Sequence, residues 1–262
     1  MREAEKKSAA ETEDLLNFCC ELGRQLMQNG AEMYRVEESI QRILDAYQCK
    51  WSEVFAIPSC IIVNIQEQEN HTKAVRVKGA GNDLHKLNEL NALCRDICRE
   101  KPVLKQAWQK LHAIMGEPKY SLLLSYMAYG FAAFFFTLFY GGVLLDAVVA
   151  FACGLIVKRT VSYMQEVRAN IFFTNLVASY LLAVLPLGLI WAGTPVNLDM
   201  VIIGAIMLLV PGIAITNVMR DVLAGDFLTA VTRFAEVLIV AMGITIGVAL
   251  AIFSMRWLTG WL

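Results

Sequence analysis

The rhythm of apolar and polar positions changes three times along this chain. From Glu11 to Gln28, Leu15, Phe18/Cys19, Leu22 and Leu26 recur at the spacing of one helix face, and Asn29-Gly30 offers a stop. Met33, Val36, Ile40, Ile43/Leu44 and Tyr47 form a second such stripe. Two amphipathic helices joined this closely are expected to pack as an antiparallel pair. The period then shortens to two. Ser52–Ile57 is short and mixed, Ile61, Val63 and Ile65 alternate, and so does Ala74–Lys78 through Val75 and Val77. These predict two or three strands, with Pro58 and Asn70 in the turns. Helical spacing returns at Leu84, Leu87, Leu90, Leu93/Cys94 and Ile97 behind an Asn82-Asp83 cap, and again at Leu104, Trp108 and Leu111 behind Pro102. Gly116-Glu117-Pro118 closes a small α+β domain with helices flanking an antiparallel sheet.

Beyond Tyr120 polar positions nearly vanish. Five apolar segments approach the ~20 residues a bilayer needs: about Tyr120–Tyr140, Val143–Val157, Ile171–Trp191, Met200–Val218 and Thr229–Phe253. The expected organisation is thus a cytoplasmic α+β domain over residues 1–118, then an α-helical membrane domain of five transmembrane helices over 119–262.

Charge sharpens that division. Residues 1–119 hold 17 Lys+Arg and 18 Asp+Glu, whereas residues 120–262 hold six of each. Neither part has a strong net charge, so nothing points to nucleic acid. Met1–Asp14 is charged, with no apolar run behind a basic start, which predicts that the polar part stays in the cytoplasm. Lys158, Arg159 and Arg168 fall between the second and third segments, and Arg220, with Arg233 at the start of the fifth, is counted to the connection between the fourth and fifth. Gly141-Gly142 and Gly193–Leu198 carry no Lys or Arg. That alternation predicts a multi-pass protein of the plasma membrane with its N-terminal domain inside and its C-terminus outside, near Trp257 and Trp261. Arg256 is the one dissenting charge.

Candidate chemistry is sparse. The cysteine spacings match no zinc finger or ribbon, and Cys94 and Cys98, four apart, suit one helix face as core thiols. His71, His85 and His112 are scattered. No metal, cofactor, catalytic pair or phosphate loop is indicated, so an enzyme is not expected. What stands out is Val201–Asp221, an apolar run interrupted by Pro211-Gly212 and followed by Thr216, Asn217, Arg220 and Asp221. Pro removes a backbone donor, and in hydrocarbon the freed groups must find partners in protein or in a water-lined cavity. A broken membrane helix ending in polar side chains is a candidate site for a small polar solute. The competing reading is a kink near a helix end, with Arg220 and Asp221 marking the water interface. Asp146, Asn175 and Glu236 are further polar groups within the apolar segments, candidates for ion coupling.

In the polar half, Gly30-Ala31-Glu32-Met33-Tyr34-Arg35-Val36-Glu37-Glu38 is distinctive. Much of it is explained by surface ion pairs, Glu32 with Arg35 and Glu38 with Arg42. Taken together, GAEMYRVEESIQRIL (Gly30–Leu44) and LVPGIAITNVMRDVLAGD (Leu209–Asp226) resemble the N-terminal module of the threonine/serine exporter family. The resemblance rests on Gly30, Ala31, Glu32, Tyr34, Arg35 and Glu37 in the first motif. In the second it rests on Pro211-Gly212 and Arg220-Asp221. It implies a secondary-active exporter, driven by an ion gradient, of small polar metabolites bearing a carboxylate: amino acids such as threonine and serine, or a dicarboxylate. The second transmembrane module of fused members is absent from this sequence, which implies a separate, smaller membrane subunit as partner. An odd number of spans is also physically half a transporter, since many are built from two inverted repeats. The alternative is a membrane-anchored sensor or scaffold whose soluble domain is the active part. A mere anchor, however, has no need of five spans or of a polar break within one.

Overall fold

The computed structural model describes residues 2–66, 70–79, 81–117 and 120–260. The expected boundary at Pro118-Lys119, and Trp261, lie outside the described residues. The chain divides into two compact units, Met1–Pro118 with Ala224–Thr229, and Lys119–Leu223 with Ala230–Leu262.

In the first unit the order is α1 (Arg2–Gln28), α2 (Met33–Ala46), β1 (Trp51–Ile57), β2 (Cys60–Gln66), β3 (Asn70–Arg76), α3 (Leu84–Glu100) and α4 (Leu104–Gly116). Helix α1 begins well before Glu11, because its first residues are good helix formers that carry no apolar stripe for periodicity to detect. The three strands pair antiparallel in the order β1-β2-β3, with Val54 opposite Val63 and Val63 opposite Lys73. Asn70 is not in a turn: it opens β3, opposite Gln66. The third strand also ends at Arg76, short of Lys78.

The helices cover one face of the sheet. Ala56, Ile61, Val63 and Ile65 are buried beneath the helices, whereas Trp51, Phe55 and Ile62 on the other face are exposed. Alternation in β2 is therefore a one-sided burial signal. Phe18, Leu22, Leu26, Ile40, Ile43, Ile61, Leu90, Ile97 and Leu111 are fully buried in one cluster, each contributing about 1.5–3 kcal/mol of apolar transfer. Asp83 caps α3 by accepting the Lys86 N–H at 3.1 Å. The side chain of Leu84, expected in the stripe, is exposed because it sits at the very start of the helix.

The second unit is helical: α5 (Leu122–Phe139), α6 (Leu144–Glu166), α7 (Ile171–Trp191), α8 (Leu198–Ile206), α9 (Gly212–Ala224) and α10 (Phe227–Thr259). Its helices meet through small residues. A Cβ on Gly154 would lie 2.5 Å from the Tyr129 carbonyl oxygen, so α6 crosses α5 at backbone contact. Gly247 approaches α7 as closely, a Cβ there falling 2.0 Å from Ser179 Oγ. Among the described residues, three helices, Leu122–Phe139, Ile171–Trp191 and Phe227–Leu258, are long and apolar enough to cross a membrane. Helix α6 continues past Val157 to Glu166 and carries Lys158 and Arg159 within it, and the fourth expected segment is two short helices.

Candidate functional site

The interruption of the fourth apolar segment is wider than the Pro-Gly pair. Asn197 caps α8, its Oδ1 accepting the Asp199 and Met200 N–H groups at 3.2 and 3.4 Å. Helix α8 then runs only nine residues, to Ile206. Met207–Val210 turn tightly, with the Leu209 N–H on the Ile206 carbonyl at 2.8 Å, and Pro211 has no N–H with which to continue the ladder. Helix α9 restarts at Gly212, its Ile215 N–H reaching back to the Pro211 carbonyl at 3.0 Å.

The polar residues after the break divide between two faces of α9. Thr216 and Arg220, four apart, are exposed, and the Thr216 hydroxyl donates to the Gly212 carbonyl at 3.1 Å. Asn217 is half-buried and Asp221 is 2% exposed. Asp221 pairs with Arg233 of α10, Oδ2 to Nε 3.7 Å, where the arginine side chain is only 13% exposed. Arg220 and Arg233, expected as loop charges, both lie inside helices, and the connection between α9 and α10 is only Gly225-Asp226. Nothing local in the sequence links Asp221 to a residue twelve positions on; only the chain reversal after α9 does so. Removing one member of so shielded a pair would strand the other charge, a far larger penalty than at an exposed pair.

The other polar candidates within the apolar segments have different surroundings. Asp146 is 2% exposed and accepts two backbone N–H groups, Val143 at 3.0 Å through Oδ2 and Asn197 at 2.8 Å through Oδ1. It ties the start of α6 to the residue that caps α8. Asn175 is buried, its Nδ2 donating to the Ile171 carbonyl at 2.8 Å beside Gly243 of α10. Glu236 is exposed on α10.

The Gly30–Glu37 motif splits into supports and an open face. Gly30 takes φ +98°, a left-handed conformation suited to glycine, and a Cβ there would meet Asn82 Oδ1 at 2.9 Å. Ala31 is buried, and Glu32 precedes α2 while pairing with Arg35 at 3.1 Å. Glu37 accepts the Ala56 N–H at 2.7 Å, satisfying a donor of edge strand β1. Burial raises the Glu37 carboxyl above its ordinary value, the Ala56 N–H partly opposing this. Tyr34 and Arg35 instead face a cavity between α2 and α3. The Arg35 guanidinium sits over the Tyr34 ring, 5.9 Å from its centroid.

A sequence model of the threonine/serine exporter family, ThrE, matches residues 17–255. A curated threonine/serine exporter from Corynebacterium glutamicum is 22% identical over 248 residues, which cover 91% of this chain and 50% of the relative. The chain thus spans about half the length of the curated relative it matches. No solved structure gives a significant match.

Proposed function

The chain belongs to the threonine/serine exporter family, a family of transporters rather than enzymes, and from that premise we propose that it is one subunit of a secondary-active exporter of small polar metabolites. The substrate class is a compact solute with a carboxylate: an amino acid such as threonine or serine, or a dicarboxylate. The observation that carries this reading is the break between Ile206 and Gly212 inside an otherwise apolar segment. Irregular backbone at membrane depth is tolerated where it is enclosed by protein or lines a water-filled cavity, so a break followed by Thr216, Asn217, Arg220 and Asp221 suits a solute path. In this reading Arg220 clamps the carboxylate as a bidentate fork while Thr216 and Asn217 supply neutral hydrogen bonds. The buried Asp221–Arg233 pair fixes the orientation of α9.

The proposal includes five crossings, with α8 and α9 together making the fourth. It keeps residues 1–118 as a domain on the cytoplasmic side, the membrane part as 119–262, and the C-terminus outside. A second, smaller membrane subunit completes the transporter. Support for that partner comes from α9, where exposed Thr216 and Arg220 stand beside exposed Ile213, Ile215 and Met219. An odd number of spans also inverts naturally against an equal partner.

The test is export of labelled serine, threonine and succinate from vesicles containing this chain with a candidate five-span partner, at matched incorporation. Arg220→Lys keeps the charge but not the fork. The expected result is a loss of apparent affinity of roughly tenfold or more, from about 1.5–3 kcal/mol of charge-assisted hydrogen bonding. An unchanged concentration dependence would remove Arg220 from the site, and saturable flux by this chain alone would remove the partner.

A further inference from the structure

A cavity of about 780 Å³ lies between α2 and α3 in the sheet-bearing unit. That is within the ~300–1,000 Å³ of ordinary small-molecule sites. Its lining is strongly biased in charge: Arg35 and Arg42 from α2 and Arg95 and Arg99 from α3 face it, against a single carboxylate, Glu38. Arg35 and Arg42 are seven apart and Arg95 and Arg99 four apart, so each helix presents its two guanidinium groups on one face. Cys94 also lines the space, but burial, reinforced by Cys98, pushes its thiol up to about 12, and it adds no negative charge.

Existing ion pairs do not neutralise this cluster. Arg42 meets Glu38 at 2.6 Å, and Arg99 meets Glu100 at 3.1 Å and Asp96 at 3.6 Å, all with largely exposed side chains. Arg35 is 60% exposed, but its partner Glu32 is only 12% exposed, so this pair is the most firmly held of the set. The exposed pairs of Arg42 and Arg99 are weak and exchange readily. Arg95 enters no ion pair among the described residues. Four like charges around one space raise its potential, and an incoming anion relieves their mutual repulsion.

We propose that the cleft between α2 and α3 binds a small, multiply charged oxyanion, a phosphate ester or a polycarboxylate, held between the arginine pairs of the two helices. Planar guanidinium forks match the oxygen spacing of both groups, and Asn91 on the same wall can donate through its amide. The site is separate from the broken membrane segment and does not depend on the export reading. It also gives Tyr34 and Arg35 of the Gly30–Glu37 motif a role that the packing of α2 does not.

The experiment is calorimetric titration of the full chain in neutral detergent at low ionic strength, with inorganic pyrophosphate in one arm and citrate in the other. Saturable binding of one anion per chain is expected, weakened roughly tenfold by Arg95→Gln or by Arg99→Gln. Both side chains are exposed, so neither variant threatens folding. Arg76→Gln, which removes the same charge from exposed β3, should leave affinity unchanged. Tighter pyrophosphate binding assigns phosphate chemistry to the cleft and tighter citrate binding assigns carboxylate chemistry. No saturable binding in either arm would overturn the proposal, as would equal weakening by Arg76→Gln.

Discussion

Asp146 gives the sharpest separation between a structural and a transport role for a buried carboxylate in the apolar half of the chain. Its two oxygens each accept one backbone N–H, Val143 at 3.0 Å and Asn197 at 2.8 Å, and the side chain is 2% exposed. Replacing it by alanine deletes both bonds and leaves both donors shielded. A hydrogen bond to a charged group contributes about 1.5–3 kcal/mol, so Asp146→Ala should cost roughly 3–6 kcal/mol. The lower end is more realistic, because both donors sit at helix starts that water can reach on partial opening. Asparagine keeps one acceptor oxygen, and Asp146→Asn should cost about half as much, ~1.5–3 kcal/mol. Asp199→Ala, at the exposed start of α8, is the control and should lie within about 0.5 kcal/mol of wild type. Equilibrium unfolding in mixed micelles, followed by circular dichroism, measures all three. The order expected is Ala below Asn below control. If Asp146→Ala unfolds with the wild-type midpoint yet abolishes export, the staple argument fails and the carboxylate acts in ion coupling.

Two further outcomes follow from the same structure, and a third from the distribution of Lys and Arg along the sequence. Gly247→Ala places a methyl 2.0 Å from Ser179 Oγ and 2.3 Å from the Leu176 carbonyl, so α10 must move off α7 at about 1–3 kcal/mol, whereas Gly188→Ala meets open space and should be neutral in the same unfolding assay. The Glu37 carboxyl is raised by burial, so the stability it confers is fully present below its ordinary value of 4.5 and is lost as pH rises through its higher folded value. Glu37→Gln, which can still accept the Ala56 N–H, should therefore raise the urea midpoint slightly at neutral pH, by less than ~1 kcal/mol for so solvent-screened a group, and lose that advantage near pH 4.5; an advantage that grows toward acid would refute the assignment. For orientation, a reporter active only in the cytoplasm and fused after Leu262 should be silent, and strong signal there would overturn the proposed five-crossing topology.

Much of the architecture was legible in one dimension because it rests on local periodicity. The stripes of α1, α2 and α3, the alternation of Ile61, Val63 and Ile65, and the apolar segments of α5 and α7 are properties of neighbours along the chain. The Pro211-Gly212 interruption was legible for the same reason, since proline denies the ladder its donor wherever it lies. What could not be read was which side of a residue finds a partner. Alternation in β2 marks one buried face, but it does not say that the apolar Phe55 and Ile62 stand on the uncovered one, because periodicity groups residues by face without saying what packs on each.

The functional candidates show the same limit. Asp146 stands alone among apolar residues and Asp221 follows Arg220, yet nothing local says what either carboxylate meets. Tertiary structure gives one two backbone amides and the other an arginine on the following helix. Arg35 and Arg95 are sixty residues apart and become walls of one cleft only because α3 returns along α2. Local sequence sets which segments are helices or strands and how apolar each is; long-range chain return decides which charges are neutralised and which remain available to a ligand, because electrostatic energy depends on distance in space rather than along the chain.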